Sequence, residues 1–401
     1  MLPRSFGRDC DPRVRGYRSS NPAISTKLDA AIINTVLTTK LDSVPERIPT
    51  LAVNSVVVQR THDVPNPRPS QKKPFCAGTS HLAKPKTSLS SINGIGFETA
   101  QAIAKYANLV VITGHNEERL KLAEAAIKKE VPHANIRALL LDLSSFAAVR
   151  TSAAQVNAYE EPIHVLINNA AAPLGPFKLT VDGLENQMAT DHLGPFLLTA
   201  LIAPKILAAR TEQFTPRVVF VSSLAHTLCK GPDFGTLRKP DPKTHQAFSA
   251  YAQSKSANVL TAAELSRRSN GKINGYSLHP GEIPTKLLLK EESLETIKSQ
   301  GILGPDGQPN TQDFHWKTIP EGAATTVVAA FDPRLAASPG AYLDNSVVAN
   351  EKIEEHPADP VSALMAVVSL ENKSLMRVCE ANAAKLWDLS EEIVGVKFTF
   401  E

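Results

Sequence analysis

No apolar run in this 401-residue chain approaches the ~20 residues that a membrane-spanning helix needs. Net charge is also scarce. Lys and Arg number 43 against 40 Asp and Glu, which leaves +3. So small an excess gives no ground for a nucleic-acid-binding class, and none is expected. Cysteine is rare. Cys10, Cys76, Cys229 and Cys379 stand far apart, without metal-ligand spacing. No metal site is predicted, and the four read as free thiols of a reducing compartment. A cytoplasmic location follows as the expectation. Arg4, Arg8, Arg13, Arg15 and Arg18 give mitochondrial targeting as the alternative, although Asp9, Asp11 and Pro12 interrupt the basic segment.

What is present suits a globular protein of one large domain or two moderate ones. Apolar residues make up 42%, enough for a sizeable core. Residues 1–86 read as an N-terminal extension of low order, with a Pro/Lys/Ser linker between Pro65 and Pro85. Within it only Leu51 to Gln59 looks like a strand, with Val53 and Val56-Val57-Val58.

From Ser91 a regular alternation begins. The loop Ser91 to Gly96 leads into a helix ending near Ala107. Strands are predicted at Leu109–Thr113, Ile136–Leu141, Val165–Ile167, Val218–Val221, Ile273–Leu278 and Gly340–Leu343. Helices are predicted at Glu117–Lys129, Ser145–Tyr159, Gly183–Ala209, from Tyr251 onward, Glu321–Ala330 and Ala383–Val394. Strands alternating with helices mean βα units and a doubly wound parallel sheet, a Rossmann fold. Residues 282–316 suggest an amphipathic lid around Leu287-Leu288-Leu289, and 350–378 form an insert with no assigned place.

Chemistry concentrates between Ser222 and Lys255. Ser222-Ser223 end the apolar run Arg217 to Val221, where an open α/β sheet offers polar groups to a ligand. Tyr251 and Lys255 stand four apart on one helix, hence on one face. An ammonium beside a phenol favours the ionised form, which suits proton exchange near neutral pH. Taken alone, the pair is also what any solvated helix shows.

The motifs occur together and in order, and the chain resembles a short-chain dehydrogenase/reductase. Its texture is similar to the retinol-dehydrogenase-like branch of fungi. The pieces are Asn93-Gly94-Ile95-Gly96-Phe97-Glu98-Thr99-Ala100, Asp142-Leu143, Asn168-Asn169-Ala170, Ser222-Ser223, Tyr251-x-x-Ser254-Lys255 and His279-Pro280-Gly281. Glu321 to Thr325 and Leu386 to Ser390 match the C-terminal part of that branch.

The resemblance implies an oxidoreductase that interconverts an alcohol and a carbonyl on a small, apolar substrate with NADP(H). Tyr251 would exchange the proton, Lys255 would hold the nicotinamide ribose, and Ser223 would bond the carbonyl; a one-residue slip would give Ser222 that role. Gly94, Ile95 and Gly96 would meet the pyrophosphate, and Asp142 the adenine, although Asp142 also reads as a helix N-cap. Asn168 and Ala170 would flank the cofactor, and Pro280, Gly281, Ile283 and Thr285 would cup the nicotinamide. Gly114-His115 carries no carboxylate to repel a 2′-phosphate, so NADP is the expected cofactor and NAD the alternative; His115 reads equally as an exposed loop histidine.

Three positions depart from the family. Ser90 stands where the phosphate loop has its first glycine, and Leu89 where it has threonine. Ala83 to Ser88, where the preceding strand belongs, is polar and contains Pro85. Asp191 replaces the asparagine of Asn-His-Leu-Gly and joins the catalytic candidates beside Lys255. A relative that binds without catalysing is therefore the rival reading. The only partner predicted is a small molecule, with self-association left open.

Overall fold

The computed structural model describes residues 51–54, 94–285, 288, 290–349 and 372–401, with the backbone alone given at 51–54 and 372–379. The expectations for the rest of the N-terminal segment and for 350–371 lie outside the described residues.

Among the described residues eight strands form one sheet, and β-numbers follow chain order: β1 (Leu51–Asn54), β2 (Val110–Gly114), β3 (Ile136–Leu140), β4 (Val165–Asn168), β5 (Arg217–Val221), β6 (Asn274–His279), β7 (Tyr342–Asp344) and β8 (Val347–Val348). The spatial order is β3-β2-β1-β4-β5-β6-β7-β8. All neighbours are parallel except β7 and β8. The helices are α1 (Ile95–Ala104), α2 (Glu117–Glu130), α3 (Phe146–Asn157), α4 (Asn186–Met188), α5 (Gly194–Leu207), α6 (Ala247–Arg268), α7 (Glu291–Ser299), α8 (Ile319–Phe331) and α9 (Asn372–Val394). A π turn, Ala189–Leu193, joins α4 to α5.

The pattern has simple causes. β4, β5 and β6 are buried at every position, as a parallel sheet covered on both faces requires. Asn116 caps α2 by accepting from the Arg119 N–H (2.9 Å), and Glu117, Glu118, Lys128 and Lys129 oppose the helix dipole at its two ends. Thr318 and Glu321 form a reciprocal capping box at α8.

The central slot of the sheet is filled from the segment read as an extension. β1 pairs with β2 through Leu51↔Val110 and Val53↔Ile112, and with β4 through Leu51↔Val165 and Asn54↔Asn168. The strand-like part of the N-terminal extension, expected between Leu51 and Gln59, thus supplies the central strand at Leu51–Asn54. A slot between two buried strands cannot stay empty, because their backbone groups would go unpaired. Only the first part of the predicted Leu51–Gln59 strand takes part within the described residues. α9 begins at Asn372, inside the stretch 350–378 that had no assigned place.

Two core histidines set an acid limit on this fold. Burial lowers His164 to about 4 and His192 to about 3, from an ordinary 6.5. The unfolded chain takes up protons near 6.5 that the folded chain refuses. Stability therefore falls as pH drops below 6.5, by about 2 kcal/mol per histidine near pH 5. Asp191, raised by burial, contributes with the opposite sign. Urea unfolding near pH 7 and near pH 5 should show the net loss, and His164→Gln should remove part of it. Equal stability at both pH values would contradict the neutral buried rings.

Candidate active site

Strand order reverses between β1 and β4, and the polar residues gather at the carboxyl ends of β4, β5 and β6 beside that point. β5 ends in Val221 and runs into Ser222 and Ser223. The buried Ser222 hydroxyl donates to the Lys255 carbonyl of α6 (2.7 Å) and so ties strand to helix. Ser223 is more open. Its Oγ accepts from the Ala225 N–H (3.2 Å), capping the short 3₁₀ turn Leu224–Leu228.

Lys255 is 2% exposed. Its ammonium donates to the Val221 carbonyl (3.3 Å), lies 3.5 Å from Asp191 Oδ2, and sits 5.4 Å from the centre of the Tyr251 ring. Asp191, on the π turn, is 1% exposed. Its Oδ1 accepts from the Ala172 N–H (2.7 Å) and its Oδ2 from the Ser254 hydroxyl (2.9 Å). Burial raises the Asp191 carboxyl above its ordinary range, and the Lys255 ammonium opposes that rise. Such a pair is costly to break, because either partner left alone is an uncompensated buried charge.

A roof closes over Tyr251. Leu174, Ile297 and Leu303 form a small apolar core, against which Phe248, Tyr251, Leu288, Leu294, Ile302 and Trp316 pack. The lid is fastened where the Leu174 N–H donates to Ser293 Oγ on α7 (3.1 Å). At the end of β6, His279 Nδ1 accepts from the Leu224 N–H (3.1 Å), and its Nε2 lies 3.3 Å from Glu282. Burial alone would raise the Glu282 carboxyl; the His279 ring beside it holds it below its ordinary range. Tyr342 packs its ring on His226 (4.6 Å between centroids). Among the described residues its buried hydroxyl has no partner, and burial pushes it well above the ordinary phenol range.

The glycines divide by cause. A Cβ on Gly96 would lie 2.5 Å from the amide nitrogen of the Asn169 side chain, so a larger residue there would make that side chain shift. Gly281 has φ +101°, a left-handed backbone, and its missing Cβ leaves room for the Lys317 stem. Gly94 is different. It is extended, and among the described residues no side chain caps α1 behind it and a Cβ there would meet nothing within 4 Å. The N–H groups of a helix N-terminus suit an anionic group.

The structure therefore groups Ser223, Tyr251, Lys255 and Asp191 around the end of β5. Asn168 ends β4 and is buried, and Ala170 lies two residues beyond it, half-buried. Pro280 and Ile283 are buried after β6, and Thr285 is half-buried beyond them. Ile95 opens α1. His115 is exposed after β2, next to the cap Asn116. The N-cap alternative for Asp142 is corrected: Ser145 caps α3, while Asp142 Oδ1 accepts from the N–H (2.9 Å) and hydroxyl (2.6 Å) of Ser144. The lid partners Phe248 and Trp316, the Ser293 fastening and Tyr342 had no sequence signal beyond aromatic type. Only folding brings them to Tyr251.

Among the described residues, no group of three or more His, Cys, Asp or Glu could hold a metal ion, and no helix is long and apolar enough to cross a membrane. The family model for short chain dehydrogenases matches residues 90–232. The chain is 36% identical over 257 residues to the short-chain dehydrogenase TIC 32 B, chloroplastic, of Brassica napus, covering 62% of this chain and 76% of that relative. It is 35% identical over 215 residues to human retinol dehydrogenase 11, covering 53% of this chain and 65% of the relative. A crystal structure of an uncharacterised protein of Mycobacterium paratuberculosis shares the fold, with TM-score 0.52 and 24% identity over 77% of this chain and 92% of that one. Motif order, sheet topology and these likenesses agree: the chain belongs to the short-chain dehydrogenase/reductase family of oxidoreductases.

Proposed function

We propose that the protein interconverts a carbonyl and an alcohol on a small apolar substrate, with NADP(H) as cofactor. The observation that carries this is Tyr251, set under an apolar roof with the Lys255 ammonium beside its ring and Ser223 at the adjacent strand end. In this reading the Ser223 hydroxyl, whose oxygen already accepts from Ala225, donates to the substrate oxygen. Tyr251 gives or takes the proton at that oxygen. Lys255 supplies fixed positive charge beside the phenol, and Asp191 and the Val221 carbonyl hold it in place. The lid residues Leu288, Leu294 and Trp316 exclude water and select apolar substrates. The nicotinamide, when bound, supplies or accepts the hydride. Gly94, Ile95 and Gly96 would hold its pyrophosphate, Asp142 its adenine, Asn168 and Ala170 its flank, and Pro280, Gly281, Ile283 and Thr285 its carboxamide end.

His115 is exposed, and Gly114-His115-Asn116 carries no carboxylate to repel a 2′-phosphate. NADPH should bind about tenfold more tightly than NADH, about 1.4 kcal/mol. Leu89 and Ser90 stand where the family's phosphate loop has its threonine and first glycine. Binding should therefore be weak, on the order of tens of micromolar. Calorimetric titration checks both statements. Equal affinities or a preference for NADH would sink the first, and a sub-micromolar constant the second. The function itself is tested by a panel of apolar ketones, aldehydes and alcohols with both nicotinamides, read at the reduced-cofactor absorbance band. No absorbance change with any pair would favour the rival, a family member that binds without catalysing.

A further inference from the structure

The π turn puts two consecutive side chains to different uses. Asp191 meets Lys255 and Ser254 of α6. His192 reaches α9 instead, where its Nε2 lies 2.9 Å from the Ser390 hydroxyl. Asp191 is 1% exposed, and His192 and Ser390 are 0%. His192 Nδ1 has no partner among the described residues, which leaves Ser390 as the ring's hydrogen-bonding contact there.

α9 is firmly placed for this task. Arg268 of α6 binds Asp388 (2.8 Å) and lies 5.4 Å from the centre of the Trp387 ring. Trp387 packs edge-on against Phe196, one turn beyond His192 (5.0 Å). Arg150 donates to the Val394 carbonyl at the end of α9 (2.6 Å).

A π turn holds one residue more than an α turn and persists only where side chains favour it. Relaxing it to α geometry would rotate neighbouring positions by about 100°. Asp191 would then leave Lys255. We propose that Ser390, acting through His192, is a positioning residue for Asp191: its bond to His192 holds the π turn that keeps the carboxylate on Lys255. The C-terminal helix is thereby part of the apparatus of the site, although no residue of it belongs to the motifs at the strand ends. The kinetic side of this inference rests on the oxidoreductase reading above.

The test uses the full chain with Ser390→Ala, Ser390→Thr and Asp388→Asn. Ser390→Ala should lower kcat about tenfold while the KM values for substrate and cofactor stay within about twofold. Ser390→Thr keeps the hydroxyl and should restore kcat. Asp388→Asn removes one surface ion pair of α9, leaves the packing of Trp387 and the Ser390 bond in place, and should leave kcat unchanged. A second readout needs no turnover: the carboxyl ¹³C resonance of Asp191, assigned by its loss in Asp191→Asn. The groups that face this carboxyl are Lys255, Ser254 and the Ala172 N–H, with Glu185 of the preceding turn as the nearby like charge. In Ser390→Ala the titration midpoint should fall by about one pH unit, as the carboxyl leaves its buried place. If Ser390→Ala does not fold, Ser390→Cys, similar in size with a weaker hydrogen bond, takes its place. An unchanged Asp191 midpoint overturns the proposal, whatever happens to turnover. So does a lower melting temperature alone, with kcat and midpoint kept. A shifted midpoint in a chain that turns nothing over keeps this proposal and sinks the oxidoreductase reading.

Discussion

Tyr251→Phe should lower kcat about a thousandfold and leave NADPH affinity within about twofold. The substitution removes one hydroxyl. The ring keeps its packing against the lid cluster and its place beside the Lys255 ammonium. Lys255 keeps its bonds to Val221 and Asp191, because neither runs through the phenol. Shape and charge therefore persist, and only the proton donor is lost. Lys255→Met should be worse in a different way. It strips the buried Asp191 of its counter-charge, and stability should fall by about 3–5 kcal/mol together with activity. Steady-state kinetics and thermal melts separate the two. A Tyr251→Phe variant that turns over like the parent would exclude Tyr251 as the acid.

The second large effect concerns the centre of the sheet. Val53→Pro should destabilise the fold by about 3 kcal/mol or more and leave little folded protein. Val53 is flanked by Ile112 on one side and Ile167 on the other. Proline removes an N–H there, and the facing carbonyl is left without its partner. A stability of about 5–15 kcal/mol for the whole chain makes this a large share. If Val56-Val57-Val58 filled the slot instead, Val57→Pro would be the damaging change and Val53→Pro the tolerated one. Urea unfolding of both variants tells them apart.

Much of this architecture can be read from local pattern. The alternation after Ser91 places the strands from β2 to β7 and the long helices other than α9 within a few residues, because buried parallel strands are nearly continuous apolar runs. Tyr251, Lys255 and the Ser222-Ser223 strand end are legible for the same reason: helix spacing and strand ends are short-range properties. Other features are not local. Val56-Val57-Val58 has the stronger β pattern, yet Leu51–Asn54 holds the register with β2 and β4. Propensity cannot say which part of a strand-like segment its neighbours will accept. The short antiparallel β8 has too few residues to carry a signal. The π turn reads as uninterrupted helix from Gly183 to Ala209, because its extra residue is fixed by contacts with α6 and α9. Asp142 resembles a helix cap by type, but Ser145 stands at the helix start. The pairing of Ser390 with His192 spans 198 positions and leaves no trace in either neighbourhood.

The central claim is that Tyr251 and its neighbours serve a hydride transfer between a nicotinamide and an apolar carbonyl. Its most direct test is isotopic. The protein is incubated with NADPH carrying deuterium on the transferable face of the ring and with a panel of apolar ketones, and the products are weighed by mass spectrometry. The account predicts an alcohol carrying one deuterium on its carbinol carbon, formed by the parent and not by Tyr251→Phe. Alcohol without the label, or labelled alcohol formed equally by both proteins, would contradict it.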